Sequence, residues 1–422
     1  MEDMKPDCPV AITRPEIVCG EAETLSALAA EGATVHIRKP GADREAVEGL
    51  LRELRSSGAD MDRFTLHYDE PLARRYGLGG VHLGGEDIRT GAGAGLRRSC
   101  STHGWDEAGR FAASCDYLFL SPVFDSISKK GYRGAIDPDD ARQWLAGIAG
   151  RVVALGGIGA GNIARVREAG FGGAAVLGAL WEGDPDLDET VARYRALRRK
   201  WLAAGGRLQF ISDGDLSVAE EFLRGGGRWV QLRMKETPPE QIVLRGRQML
   251  ALCRRYRALL IVNDDPRLAA AIGADGVHLG QGDMPPAEAR RIVGDRAIVG
   301  STANTFAQIA ARTDGHTDYI GLGPFRFTTT KKNLSPVLGA EGYRTILSRM
   351  RAEGIWLPVV AIGGIGEADA ASVMETGVTG IAASGAIAGA ADAARATARF
   401  LSRIDGTERK TAEQEGIVLK QR

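Results

Sequence analysis

Short apolar runs alternate with amphipathic segments along the second half of the chain. The segments between the runs carry apolar residues at helical spacing, as in PEQIVLRGRQMLALCRRY (239–256). The runs have the length of buried strands, and they are RLQFIS (207–212), WVQLR (229–233), LLIVN (259–263), GVHLG (276–280), AIVGS (297–301), DYIGLG (318–323), LPVVAIGG (357–364) and TGIAAS (379–384). This alternation predicts a (β/α)8 barrel. An open doubly wound sheet shares it, but the number of runs and the late GGIG turn favour the barrel.

The first half of the chain repeats the pattern. GVHLGGED at 80–87 matches GVHLGQGD at 276–283, and ALGGIG at 154–159 matches AIGGIG at 361–366. The corresponding runs are PVAITRP, TVHIRK, RFTLHY, GVHLG, RRSCST, DYLFLSP, VVALGGIG and GAAVLG. A period this long exceeds any solenoid repeat, so it indicates two copies of one domain. We therefore predict an α/β protein of two tandem (β/α)8 TIM barrels, at 1–195 and 205–405, with a linker within 181–206 and a polar, frayed tail at 406–422.

Length and charge narrow the class of protein. A chain of 422 residues suits two domains. Its 54 basic and 54 acidic residues balance, which argues against nucleic acid or an anionic membrane as a bulk partner. The five cysteines form no C-x-x-C pair, and the chain shows neither an apolar leader at MEDMKPDCPV nor a membrane-length apolar stretch. We expect a cytoplasmic protein with reduced thiols that acts on small molecules; the sequence leaves homo-oligomerisation open.

Polar residues collect at the predicted C-terminal ends of the strands in the second half, where active sites of such barrels lie. They are Gln231, Arg233, Lys235, Asn263, Asp264, Asp283, Ser301, Thr328, Thr330, Lys331, Gly364 and Ser384. Two acids beside basic and hydroxyl groups suggest Mg²⁺ holding a pyrophosphate. The Gly-Gly turn at 363–364 lets backbone N–H groups approach a second phosphate closely. The T-x-T-K cluster supplies hydroxyls and a cation for an anion, although such a cluster is often only a polar surface loop.

The order of these motifs adds a family resemblance. QLRMK, IVNDD, GVHLGQGD, GST, GPFRFTTTKK, AIGGIG and SGAI, over about 205–390, resemble the motifs of thiamine-phosphate synthases. That family joins a hydroxymethylpyrimidine pyrophosphate to a thiazole phosphate and releases pyrophosphate. The resemblance implies that Asp264 and Asp283 hold Mg²⁺, and that Lys331 and Ser301 take part in catalysis. It further implies phosphoryl contacts from Arg233, Lys235, Thr328, Thr330 and Lys331, pyrimidine contacts from Gln231, Asn263 and Ser301, and phosphate contacts from Gly364 and Ser384.

The first half departs from this pattern where the chemistry depends on it. His67-Tyr68 stands in place of Asn263-Asp264, which removes one of the two carboxylates. A histidine, His103 in CSTHGWD, appears at the end of the fifth predicted strand, where an imidazole suits proton transfer. This half resembles thiazole tautomerases, in which a histidine at this place aromatises a thiazole carboxylate phosphate. A non-catalytic scaffold, a ligand-sensing module and a phosphate-binding isomerase or epimerase are the alternatives.

Overall fold

The computed structural model describes residues 8–125, 134, 136–138, 140–145, 147–327 and 336–419, with the backbone alone at 142, 149 and 407–419. The chain divides into two compact units, Met1–Leu202 and Ala203–Arg422, called here barrel one and barrel two. This division falls between the two predicted domains, 1–195 and 205–405.

Barrel one is a closed barrel of parallel strands in chain order. Its strands are β1 Val10–Ile12, β2 Thr34–Ile37, β3 Phe64–His67, β4 Gly80–His82, β5 Arg97–Thr102, β6 Tyr117–Leu120, β7 Val152–Leu155 and β8 Gly173–Val176. Its helices are α1 Glu21–Ala30, α2 Arg44–Ser56, α3 Glu70–Tyr76, α4 Gly85–Arg89, α5 Trp105–Phe111, α6 Ala141–Leu145, α7 Ile163–Glu168, α8 Gly178–Trp181 and α9 Leu187–Ala204, with 3₁₀ turns at Met61–Arg63 and Ala149–Arg151.

Barrel two repeats this architecture, and its first and last strands pair to close the sheet. Its strands are β9 Leu208–Ser212, β10 Trp229–Leu232, β11 Leu259–Asn263, β12 Gly276–Leu279, β13 Ile298–Ala303, β14 Tyr319–Leu322, β15 Val359–Ile362 and β16 Gly380–Ala383. Its helices are α10 Leu216–Arg224, α11 Pro239–Arg255, α12 Pro266–Ile272, α13 Pro286–Val293, α14 Phe306–Ala310, α15 Gly339–Ala352, α16 Ala370–Met374, α17 Gly385–Ala388 and α18 Ala393–Leu419, with a 3₁₀ turn at Glu367–Asp369. The prediction of two tandem (β/α)8 barrels is confirmed.

Two apolar layers hold barrel one together. Side chains on the inner face of its strands form a small core that includes Ile12, Tyr117 and Phe119. A larger core lies between the strands and the helices, where every second strand residue, such as Val35 and Leu118, meets the apolar stripes of the helices. Both layers leave the C-terminal ends of the strands to polar residues, and those ends form the mouth of each barrel.

The region predicted as a linker is instead the last helix of barrel one. Helix α9 buries Tyr194, Leu197 and Trp201 in the outer core of that barrel, and the Tyr194 hydroxyl donates a hydrogen bond of 2.9 Å to the Pro9 carbonyl oxygen. Apolar residues three and four positions apart place these side chains on one face of the helix. The many charged residues between them hid this stripe in the sequence.

The region predicted as a frayed tail also belongs to a helix. Helix α18 runs without a break to Leu419, and Phe400 and Ile404 in its first half are buried in barrel two. Segment 406–419 lacks proline and is rich in good helix formers, so the helix continues past the residues that pack. Among the described residues, we find no helix with the length and apolar character required to cross a membrane.

Candidate functional site

Two carboxylates from neighbouring loops meet at the mouth of barrel two. Asp264 follows β11 and Asp283 follows β12, and their carboxyl groups share a hydrogen bond. Loss of hydration, and then the charge of Asp283, raises the pKa of Asp264 to about 6, whereas the Arg233 guanidinium opposes this shift. The Asp283 carboxylate also accepts the Gly280 backbone N–H at 2.6 Å, which fixes its position. Much of Asp264 is exposed, so a ligand in solution can reach this pair.

Asp264 is held in an unusual backbone conformation. Its φ is 70°, in the left-handed region that few residues other than glycine adopt, and its N–H donates a 2.8 Å hydrogen bond to the His278 carbonyl oxygen. Aspartate tolerates this region better than most residues, because its short polar side chain can bond locally. Conformations of this kind concentrate at functional sites, where the surrounding structure compensates their cost. Here the turn directs Asp264 toward Asp283.

Amide and basic side chains surround the carboxylates. Gln231 Nε2 donates to Asn263 Oδ1 at 2.6 Å, so these two residues from β10 and β11 are locked together. Arg233 and Lys235, beyond the end of β10, line a pocket of about 320 Å³ together with Asn263 and Asp264. The structure therefore brings together six of the predicted residues, namely Gln231, Arg233, Lys235, Asn263, Asp264 and Asp283.

Ser301 is not part of this group. Its side chain is 1% exposed, and its hydroxyl lies 3.2 Å from the Thr317 hydroxyl. Thr302, the next residue, has the opposite orientation: its hydroxyl contacts His278 Nε2 at 3.0 Å. Successive residues of a strand face opposite sides of the sheet, so an error of one position in the sequence alignment exchanges the two faces. Sequence reasoning missed Thr302. Because side chains alternate along a strand, counting along β13 from the position paired with His278 would have placed Thr302 on the same face as His278.

The remaining predicted residues of barrel two lie after β15 and β16 or outside the described residues. Ser384 donates its hydroxyl to the Ile211 carbonyl oxygen at 2.8 Å, at the end of β9. Gly364 has a φ of 67°, and a Cβ added there would lie 2.9 Å from the Phe327 carbonyl oxygen. The packing of this turn against the loop after β14 is thus one reason for glycine, beside the predicted phosphate contact. Thr328, Thr330 and Lys331 fall outside the described residues.

The donor set at this mouth fits a magnesium ion. Mg²⁺ binds carboxylate and other oxygen ligands, and Asp264 and Asp283 supply two carboxyl groups close enough to bond to each other. Without a cation, lost hydration and then the repulsion between the two negative charges raise the pKa of Asp264. A divalent cation in place of the shared proton would relieve this repulsion. Arg233 and Lys235 stand beside the pair, where they can meet the phosphoryl oxygens of a ligand.

At the equivalent place in barrel one, Tyr68 stands where barrel two has Asp264. Its φ is 64°, and its N–H bonds to the His82 carbonyl oxygen as that of Asp264 bonds to His278. The Tyr68 side chain is 65% exposed. The turn is therefore preserved without the carboxylate, as the sequence comparison indicated. Asp87 is the only one of the two acids retained at these matched positions.

His103 lies at the mouth of barrel one, after β5. Its Nδ1 is 3.2 Å from the Ser121 carbonyl oxygen, and its backbone N–H donates to Glu107 at 2.8 Å. A carbonyl can only accept, so a hydrogen bond at this contact requires the proton on Nδ1; the Ser121 hydroxyl also lies 3.4 Å from the same nitrogen. Asn304 makes the matching bond in barrel two, from Nδ2 to the Gly323 carbonyl oxygen. His103 thus corresponds to Asn304 of barrel two.

Barrel one also contains a cluster of three imidazoles, His36, His67 and His82, called here the histidine cluster. His36 Nδ1 lies 3.0 Å from His67 Nε2, and His67 stacks on His82 with ring centroids 4.1 Å apart. Burial lowers the pKa of all three, to about 3 for His82. The imidazoles are therefore neutral at neutral pH. The sequences of the three strands give no sign that these rings meet.

The comparisons with known proteins agree with this architecture. The model of the thiamine monophosphate synthase family matches residues 10–180 and 207–387. The thiamine-phosphate synthase of Bacteroides fragilis is 52% identical over 200 residues, covering 46% of this chain and 98% of that protein. The thiamine biosynthesis bifunctional protein ThiM/ThiE of Symbiobacterium thermophilum is 43% identical over 188 residues, 44% of this chain and 38% of that protein.

Among solved structures, the thiamine phosphate pyrophosphorylase of Pyrococcus furiosus shares 33% identity, with a TM-score of 0.44, and covers 49% of this chain and 98% of that one. The family match spans both barrels and most of the chain. The chain belongs to the thiamine monophosphate synthase family, and it carries that domain twice.

Proposed function

We propose that barrel two joins hydroxymethylpyrimidine pyrophosphate to thiazole phosphate, giving thiamine phosphate and pyrophosphate, or to the carboxylate form of the thiazole phosphate, which gives CO2 in addition. The observation that carries this proposal is the Asp264–Asp283 pair, with Arg233 and Lys235 at the same mouth. The thiamine-phosphate synthases among the relatives support the same reaction. A barrel-sized stretch of this chain covers almost the whole length of such a synthase. The activity belongs to thiamine biosynthesis.

In this reaction the pyrimidine methylene carbon loses pyrophosphate and gains a bond to the thiazole nitrogen. Asp264 and Asp283 would hold Mg²⁺, which when bound offsets the negative charge of the leaving group. Arg233 and Lys235 stabilise the same charge by direct contact with phosphoryl oxygens. Gln231 uses one N–H to hold the Asn263 amide oxygen, which turns the Asn263 amide nitrogen to the ligand. The barrel thus acts by positioning and electrostatic stabilisation, without a covalent nucleophile.

The roles of the T-x-T-K residues follow from the family resemblance. Thr328, Thr330 and Lys331 would complete the grip on the pyrophosphate, and Lys331 would stabilise the departing charge. Gly364 and Ser384 would meet the phosphate of the thiazole. We do not assign the pyrimidine contact to the buried Ser301 hydroxyl; Thr302 takes that place in the proposal, since its hydroxyl lies on the His278 side of the strand.

The variant Asp283→Asn tests the proposal. It keeps an oxygen that can accept the Gly280 N–H but removes the charge. We expect Mg²⁺-dependent coupling to fall about 10²–10³-fold, the loss typical for one electrostatic stabilising group, with an unchanged circular dichroism spectrum. Asp87→Asn, at the matching place in barrel one, is the control and should leave coupling unchanged. Full activity of Asp283→Asn would refute the carboxylate site.

A specific observation supports a second activity, in barrel one. The His103 Nδ1 contact with the Ser121 carbonyl oxygen leaves Nε2 as a proton acceptor at an exposed position. We propose that His103 moves one proton between two atoms of a thiazole carboxylate phosphate, so that the ring becomes aromatic. The step conserves all atoms and electrons and needs no co-reactant. A scaffold or a ligand-sensing module is the alternative role for barrel one.

The variant His103→Asn separates these roles. Asn304 at the matching position of barrel two bonds to the equivalent carbonyl oxygen, so asparagine should preserve the loop but cannot accept the proton. We expect tautomerisation, followed by NMR of the isolated carboxylate phosphate, to slow about 10²–10⁴-fold. Coupling of the aromatic thiazole phosphate should be unaffected. An unchanged tautomerisation rate, or none in the wild-type protein, would favour the scaffold.

A further inference from the structure

We propose that the histidine cluster of barrel one binds a divalent transition metal ion of the zinc or cobalt type, a site separate from the magnesium site of barrel two. His36, His67 and His82 each offer one ring nitrogen, and these three atoms lie within 4.8 Å of one another. The residues come from three adjacent strands, β2, β3 and β4, so the barrel itself holds them together.

The spacing of the nitrogens is close to that of a tetrahedral site. Two imidazole nitrogens bound to one zinc ion at about 2.0–2.1 Å stand roughly 3.3–3.4 Å apart in a tetrahedron. His36 Nδ1 and His67 Nε2 are already 3.0 Å apart, so a few tenths of an ångström separate the pair from this distance. The third nitrogen, on His82, lies within 4.8 Å of the other two. Because His82 now stacks on His67 with an angle of 22° between the ring planes, metal binding requires the His82 ring to turn out of this stack. Three histidines plus one open position are a set that zinc accepts in proteins.

The outer partners of the rings match those of metal-bound histidines, which donate the second ring N–H to an oxygen. His36 Nε2 lies 2.6 Å from the Tyr117 hydroxyl, and His82 Nδ1 lies 2.9 Å from the Ser99 hydroxyl. Each of these two rings can therefore turn its other nitrogen toward the metal. His82 Nε2 now contacts the Ser101 hydroxyl at 3.0 Å, and the metal would displace this contact.

One polar atom of the cluster lacks a partner among the described residues. His67 Nδ1 is buried without a hydrogen bond. An unsatisfied buried group costs about 1–3 kcal/mol, so such atoms indicate a missing ligand, ion or water. The metal would bind Nε2 of this ring, so Nδ1 would carry the proton and would still need an oxygen partner like those of the outer nitrogens of His36 and His82.

Comparison with barrel two explains why the rings gather in barrel one only. The matching residues of barrel two are Gln231, Asn263 and His278, which contain one imidazole. There, Gly300 and Gly321 make room for that ring, since a Cβ on either would lie 2.6 or 2.8 Å from it. In barrel one the register puts Ser99 and Phe119 at these two places, and Phe119 stacks on His82. His82 therefore leans toward His67 instead.

The charges near the cluster select the kind of metal. Arg38 and Arg97 are the charged groups that act on these imidazoles, and Arg97 pairs with Asp62. Cationic neighbours and neutral nitrogen ligands disfavour Mg²⁺, which is bound through negative oxygen ligands. They permit zinc-like ions, for which imidazole is a preferred ligand. The open fourth position would take a water or an anion.

Titration of the full-length chain with Co²⁺, after removal of metals with a chelator, tests the proposal. Millimolar Mg²⁺ is present throughout to fill the carboxylate site of barrel two. Under this condition we expect one equivalent of Co²⁺ to bind, with the visible absorption of Co²⁺ in a nitrogen site, and to be displaced by Zn²⁺. The double variant His36→Gln, His67→Asn carries the residues that barrel two has at these places, where they pair stably. We expect this variant to fold. Its affinity for Co²⁺ should fall by more than roughly 10–100-fold, which is the loss typical when a hydrogen-bond partner of a metal-bound histidine is removed.

The control is His316→Ala, a histidine of barrel two outside the cluster, which should bind Co²⁺ as the wild type does. Equal binding by the double variant would overturn the proposal, and so would the absence of Co²⁺ binding to the folded wild-type chain. In either case the cluster is a hydrogen-bonded chain from Tyr117 through His36 to His67. The measurement needs no enzymatic activity, so it is independent of the proposed reactions.

Discussion

At the scale of single residues, Asp264 shows how neighbours set the chemistry of a site. Its pKa of about 6 arises from lost hydration and from the charge and hydrogen bond of Asp283, against the opposing effect of Arg233. Tyr68, at the same turn of barrel one, keeps the left-handed backbone but has no carboxyl group. One substitution therefore changes the ligand that a mouth can accept, while the turn itself survives.

The raised pKa of Asp264 predicts a proton release on binding of Mg²⁺. At pH 6 about half of the Asp264 groups carry a proton, which the cation must displace, whereas at pH 8 almost none do. We expect about half a proton to be released per Mg²⁺ at pH 6 and almost none at pH 8. Calorimetric titration in two buffers of different ionisation enthalpy measures this difference, which Asp264→Asn should abolish. Equal release at both pH values would contradict the shared-proton geometry.

The same shift has a defined sign for stability. The pKa of Asp264 rises from 3.8 to about 6 on folding, so between these values the folded chain binds more protons than the unfolded chain. The contribution of this group to the free energy of unfolding therefore decreases as pH rises from about 4 to about 6. Chemical denaturation across this range should show a smaller decrease for Asp264→Asn than for the wild type. An identical pH dependence would argue against the raised pKa.

At the scale of elements, α9 shows that a helix rich in charge can still be part of a core. Trp201 is 1% exposed, and the Arg167 guanidinium lies 4.5 Å from the centre of its ring. The helix is also held at the start of β1, because the Tyr194 hydroxyl donates a hydrogen bond to the Pro9 carbonyl oxygen. Removal of this helix would expose the apolar outer face of the strands at the point where the barrel begins and ends.

The variant Trp201→Ala should destabilise barrel one by about 3–5 kcal/mol, as is usual when a large buried aromatic side chain is lost. Urea unfolding of the full chain, followed by circular dichroism, should show the transition of barrel one at lower urea. Trp144→Ala is the control, because Trp144 is 46% exposed and its loss creates no cavity. Similar midpoints for the two variants would show that α9 contributes little to the fold.

At the scale of the whole molecule, one fold occurs twice with two different mouths. Barrel two presents acids, amides and cations, whereas barrel one presents imidazoles and an exposed tyrosine. Each unit has its own closed sheet and its own apolar core. Because the core of each barrel is complete within its unit, the duplication permits one copy to change its chemistry while the other keeps it.

This independence predicts that residues 203–422 fold and couple the two substrates without barrel one. The division between Leu202 and Ala203 leaves the packed part of α18 intact in this fragment. We expect the rate of coupling with Mg²⁺ to equal that of the full chain per mole. A folded but inactive fragment would show that barrel two depends on barrel one.

The sequence by itself determined the fold class, the duplication and most of the barrel-two mouth, because strand periodicity and the C-terminal position of polar residues are local properties. It placed Asp264, Asp283, Arg233 and Lys235 at one mouth, where the structure has them. It did not show which face of β13 carries Ser301, since a shift of one residue inverts a strand. Only the tertiary structure decided this, because register depends on pairing between strands.

The same reason applies to the histidine cluster. Three histidines about 15 to 31 residues apart have no spacing that indicates a common site, yet adjacent strands bring their rings into contact. The bulk of Phe119, where barrel two has Gly321, turns His82 toward the other two rings. Local patterns thus define elements and their order, whereas contacts between side chains from different strands arise only when the barrel closes.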